Sequence, residues 1–220
     1  MGITTKVKRI LAGTLLAAGL YAGAARAEEA GTQSGHAGFI SQGYNAVEMA
    51  VTDQQFRTRL LTNIDASIEG MQVGIHGMNE TNDLSKDGYF GRNVLTAGKK
   101  GAGTSLAYVL LTNSNGIVDQ KIGIRNTSIL KKLGCYGSVD AAVDADGGNM
   151  TVFVGKPLPG GMSAEMYHSA EMPFSGDPNH YTEAQLNKDL GKNMSGFVRA
   201  EIPDLKLDDA AYLGGVTVRF

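Results

Sequence analysis

From Leu133 to Asp144 the chain alternates: Leu133, Cys135, Gly137, Val139, Ala141 and Val143 take one set of positions, Tyr136, Ser138, Asp140, Ala142 and Asp144 the other. Successive side chains of an extended backbone point to opposite faces, so a period of two commits this segment to a β-strand with one apolar face. Asp144-Ala145-Asp146-Gly147-Gly148 supplies turn chemistry and Met150 to Lys156 the return, which together predict a hairpin. Another is predicted where the apolar run Leu106 to Leu111 meets Asn113-Ser114-Asn115-Gly116 and then Val118, Gln120, Ile122 and Ile124, which share one face.

The N-terminal part carries a different spacing. Ile40, Tyr44, Val47 and Val51 recur every three or four residues, the period of one helical face, and predict a helix over about residues 38–51. Thr52 and Gln55 have the spacing of a capping box that opens a second helix through Phe56, Leu60, Ile64 and Ile68, with Gly70 as its stop. Met71 to Gly103 and residues 157–181 read as long loops, and Thr182 with Gln185 opens a short helix to Leu190. Val198, Ala200 and Ile202 share one strand face, and the chain closes on a further alternating strand. The expected fold is therefore α+β, an N-terminal helix pair (about 38–69) packed on a mainly antiparallel sheet of about five to six strands, most of them from about residue 104 onward.

Residues 1–27 read as a signal peptide: Lys6, Lys8 and Arg9, then an apolar run, then Ala25-Arg26-Ala27 as the cleavage pattern. The mature chain would begin near Glu28 with a flexible arm over 28–36, followed by a single domain over 37–220. Cleavage takes Lys6, Lys8, Arg9 and Arg26 from the 20 Lys+Arg, leaving 16 against 22 Asp+Glu and a net charge of −6. Nucleic acid and anionic lipid are poor partners for such a chain, because both need clustered positive charge. Cys135 is the only cysteine and has no partner within the chain, so it is expected to be a buried small hydrophobe, with an intermolecular disulfide site as the alternative.

Two groupings could hold a soft or borderline metal such as copper: Met71, His76 and Met78, and further on Met162, Met166, His168 and Met172. Ser128-Ile129-Leu130-Lys131 has the Ser-x-x-Lys spacing without its companion motifs, and Asp144-Ala145-Asp146-Gly147 has Gly155 where a calcium loop needs glutamate. Along the last strand Tyr212, Val216, Val218 and Phe220 share one face. This ending resembles the assembly signal of bacterial outer-membrane barrels, which implies a barrel. At a sheet edge the same strand would offer itself to a partner strand. The sequence thus points to an exported bacterial envelope or secreted protein, a non-catalytic structural or assembly component acting through other envelope proteins or self-association. A periplasmic copper-binding protein and a small outer-membrane barrel are the alternatives.

Overall fold

In the computed structural model the described residues are 40–51, 56–68, 70–82 and 88–220. The signal peptide, the arm over 28–36 and the Thr52/Gln55 pair lie outside them. Twelve antiparallel strands close into one barrel in which every strand pairs with its sequence neighbours and the first pairs with the last. They are β1 Ile40–Val51, β2 Phe56–Ile68, β3 Met71–Asn82, β4 Gly88–Lys99, β5 Thr104–Asn113, β6 Gly116–Asn126, β7 Tyr136–Val143, β8 Gly147–Leu158, β9 Met162–Pro173, β10 Asn179–Gly191, β11 Met194–Pro203 and β12 Ala211–Arg219. A single-turn helix, α1 (Ser128–Lys131), sits between β6 and β7, and a short 3₁₀ turn (Leu207–Asp209) precedes β12.

The α+β expectation is overturned. The predicted helix pair is β1 and β2, and the reason lies in the arithmetic of the spacing. Phe56, Leu60, Ile64 and Ile68 are four residues apart, and four is a multiple of two as well as close to one helical turn. The residues between them decide the matter, because Arg57, Arg59, Asn63 and Asp65 fall on the opposite face at every second position. Gly70, expected to stop a helix, instead turns the chain from β2 to β3 with φ at 82°. The predicted loop over 71–103 is β3 and β4, and the loop over 157–181 with the helix to Leu190 is the end of β8, all of β9 and β10. The two hairpins read from alternation are β5–β6 and β7–β8.

Closure depends on the seam between β1 and β12, which pair from Ala46↔Arg219 to Val51↔Gly214. Beyond it Phe220 N–H donates to the Asn45 carbonyl at 2.9 Å. β12 is paired on its other side with β11, so it has no free edge to lend to a partner strand.

The two faces of the wall are inverted relative to a water-soluble barrel. Outward positions are apolar and open, with Leu106 67%, Ile122 65% and Val198 60% exposed. Inward positions hold the ionic side chains, among them Glu48, Arg59, Glu183 and Arg199, all buried. The apolar face of β7 read from the sequence as the core side is thus the outer side. Small apolar patches remain inside, one of Val94, Ala107, Val109 and Ala142, another of Ala50, Phe197 and Leu213.

Candidate functional site

The lumen is the candidate site, and the two-residue alternation of the strands builds it. On β2, Arg57 and Arg59 point inward while Phe56, Thr58 and Leu60 point out; on β10, Tyr181, Glu183 and Gln185 point inward while Thr182 and Ala184 point out. Charged groups from distant strands therefore meet inside.

Arg59 is the centre of one cluster. Its guanidinium donates to Glu183 Oε2 and Oε1 at 2.8 Å each, and to Glu80 Oε2 at 2.9 Å through Nε and 2.5 Å through a terminal nitrogen. Arg57 donates to Glu201 at 2.5 Å. Arg199 donates to Glu48 and, at 2.6 Å through Nε, to Gln185. Since β1, β12 and β11 lie between β2 and β10, the Arg59–Glu183 pair crosses the lumen instead of running along the wall. A second cluster joins Arg92 of β4 to Asp140 of β7 at 3.3 Å and Thr151 of β8 at 3.1 Å, with Arg125 at 3.5 Å from Asp140.

These clusters divide the lumen into two cavities of about 380 and 630 Å³. Arg59, Met78, Arg92, Tyr167 and Glu183 line both, so they form the constriction between them. The smaller cavity opens toward the rim with the β3–β4 and β9–β10 connections, the larger toward the rim with α1, Lys99 and Lys131. Arg57 Nε, Arg125 Nε, Asp140 Oδ1 and Glu201 Oε1 are buried without a hydrogen-bond partner in the protein, leaving capacity that water or a polar solute in the lumen would satisfy.

The sequence-predicted site residues are dispersed by this alternation. His76 and Met78 face the lumen from β3, with His76 Nδ1 2.5 Å from Asn63 Oδ1 and Nε2 3.6 Å from Asp65. Met71 is on the other face of the same strand. Met162, Met166, His168 and Met172 all stand on the outer face of β9, where His168 stacks on His180 at 5.7 Å and approaches Thr182 Oγ1 at 2.8 Å. The two groupings are not brought together. Among the described residues no cluster of three His, Cys, Asp or Glu side chains is arranged to hold a metal ion. Tyr212, Val216, Val218 and Phe220 share the outer face of β12. Cys135 is half-buried just before β7, against the expectation of full burial. Ser128 Oγ donates to Asn126 Oδ1 at 3.2 Å.

No family model matches the chain, and no curated protein matches it. Among solved structures it is similar to "KdgM porin", with 12% identity, 82% of this chain and 99% of that chain covered and a TM-score of 0.49. The same values hold for "KdgM porin in complex with disordered oligogalacturonate". A further structure, reported as "Unveiling the Mechanism Behind the in-meso Crystallization of Membrane Proteins", is 9% identical over 81% of this chain and 83% of that one, with a TM-score of 0.50. At such identities the likeness bears on the fold alone.

Proposed function

We propose that this protein is an outer-membrane β-barrel forming a narrow channel for small hydrophilic solutes. The observation that carries the reading is the inversion of the wall. A surface bearing Leu106, Ile122, Val143, Val198 and Tyr212 in the open is an aggregation liability in water and a match for hydrocarbon. No helix among the described residues is long and apolar enough to cross a membrane. A closed barrel needs none, because every backbone polar group within its wall finds a partner on the next strand. Strands of 8 to 13 residues are of the length a tilted strand needs to cross a bilayer, about 9–11 residues. The export signal expected from the sequence over residues 1–27 agrees with that destination.

Inside, charged and amide side chains surround two cavities joined at a constriction, an arrangement suited to passing polar solutes and rejecting apolar ones. The test is reconstitution of folded protein into planar bilayers and liposomes. The reading expects discrete conductance steps, and liposome swelling that falls off with the size of neutral sugars. A folded, membrane-inserted barrel with neither would leave a structural envelope protein and end the channel reading. Recovery of the native protein from the soluble periplasm would end the membrane reading too.

A further inference from the structure

One wall of the lumen differs in chemistry from the rest. Tyr136 of β7, Phe153 of β8, Tyr167 of β9 and Tyr181 of β10 each project inward from four consecutive strands. Tyr136 and Phe153 have ring centroids 6.1 Å apart, Tyr167 and Tyr181 6.4 Å apart, both pairs edge to face. Phe153 and Tyr167 are direct partners in the register of β8 and β9, which joins the two pairs into a single ladder. Tyr136 and Phe153 line the larger cavity, Tyr181 the smaller, and Tyr167 both, so the ladder runs through the constriction.

No lysine or arginine faces the lumen from these four strands, because Lys156 and Lys188 fall on outward positions. What flanks the rings is carboxylate. Glu165 and Glu171 stand on the lumen face of β9 to either side of Tyr167, and neither has a cationic partner among the described residues. The Tyr136 hydroxyl donates to Glu165 at 2.5 Å and the Tyr181 hydroxyl to Glu183 at 2.9 Å, which ties the rings to the carboxylates beside them. Guanidiniums reach this wall only from other strands and beside carboxylates: Arg59 on Glu183, Arg199 on Glu48 and Gln185, and Arg92 on Asp140 and Thr151, with Arg125 sharing Asp140. Lys99 and Lys131 stand at the wider mouth, outside the ladder.

From this juxtaposition we propose that the β7–β10 wall is a binding track for solutes carrying organic ammonium groups, as in polyamines or amino-sugar oligomers. An ammonium is attracted to the negative face of an aromatic ring and to a carboxylate beside it, and the track presents both in succession. A uronic acid would meet Glu165 and Glu171, while the guanidiniums that reach this wall, those of Arg59, Arg92 and Arg199, are already engaged by carboxylates of the protein; a neutral sugar would gain nothing from the charge. The proposal rests on the channel reading for its transport meaning, but the track itself is a binding site.

Two measurements separate them. Spermidine, a glucosamine trimer, maltotriose and a uronic-acid trimer are compared as blockers of potassium current through single channels. In parallel, spermidine is titrated calorimetrically into detergent-folded protein. Both amines are expected to block at concentrations at least about tenfold below maltotriose, and the uronic-acid trimer to block least. Glu165→Gln combined with Glu171→Gln should remove that margin, and Tyr167→Leu should weaken block by both amines while the heat-modifiable mobility of the folded barrel persists. Equal block by maltotriose, stronger block by the uronic-acid trimer, or an undiminished margin in the double Gln variant overturns the track. Spermidine binding without conductance keeps the track and ends the channel reading; conductance without amine preference does the reverse.

Discussion

Arg59 and Glu183, 124 residues apart in sequence, meet across the lumen in a two-pronged pair with both hydrogen bonds at 2.8 Å. Both side chains are almost fully withdrawn from solvent, at 6% and 8% exposure. Removing one partner of such a pair leaves a buried charge poorly compensated, whereas keeping both fixes the spacing of β2 and β10 across the lumen.

Arg59→Ala is expected to lower the stability of the folded barrel by about 3–5 kcal/mol, since Glu80 then loses its hydrogen-bonded cation and Glu183 keeps only Arg199, 3.6 Å away. It also removes a long side chain from the constriction, so single-channel conductance should rise. Urea titration in lipid vesicles, followed by the gel mobility of folded and unfolded forms, reads the first effect, and bilayer recording reads the second. Unchanged stability together with unchanged conductance would mean that the pair neither braces nor narrows the lumen.

The outer wall gives a cleaner test of the membrane reading. Val198 is 60% exposed near the middle of β11. Val198→Arg should cost about 2–4 kcal/mol in vesicles if that position faces the bilayer midplane. In a water-soluble barrel an exposed arginine would cost next to nothing, so a neutral result counts against a lipid-facing wall.

Gly155 lies beneath the ring of Tyr136, where an added Cβ would stand 2.2 Å from ring carbons. Gly155→Ala must push that ring off the wall and is expected to destabilise by about 1–3 kcal/mol. Adding Tyr136→Ala should recover most of the loss, a coupling that a double-mutant cycle measures directly. Additive effects would show that the ring does not rest on the glycine.

Asp144, in the turn between β7 and β8, pairs with Lys121 and accepts the backbone N–H of Asp146 and of Gly147 at 2.8 Å each. The Lys121 ammonium, then those amides, hold its carboxyl well below the usual carboxylate range. A folded value below the unfolded one of about 3.9 means that the stabilisation is present above that pH and is lost as pH falls through the lower, folded value. Carboxyl carbon shifts of Asp144 followed by NMR in micelles should titrate below the ordinary range, and Lys121→Met should move the midpoint upward. A midpoint at or above the ordinary value would contradict the contact.

The hairpins β5–β6 and β7–β8 were legible in the sequence because their alternation is dense and their turns carry Asn, Asp and Gly in diagnostic order. β2 was not, since Phe56, Leu60 and Ile64 satisfy a helical period and a strand period at once. β3, β9 and β10 were obscured for another reason. Their inward residues are mostly polar but include Met78, and their outward ones include Met, Gly, Ala and Thr, so the contrast between faces that marks a strand with one side in water is weak. The ionic cluster had no local motif to betray it, because Arg59, Glu80, Glu183 and Arg199 come from four strands. The available signal was a charge at every second residue between apolar or neutral ones: Arg57 and Arg59, then Arg199 and Glu201. That pattern marks one polar face on each strand, and closure of the barrel turns those faces inward.

The seam between β1 and β12 carries a consequence for how the molecule is made. A chain short of either strand is not a smaller barrel but an open sheet with two unsatisfied edges, since each remaining strand is already committed to its neighbours. Completion is therefore all or none. The pairing of Met49 with Val216 and of Val47 with Val218 therefore forms only where β1 and β12 are both present.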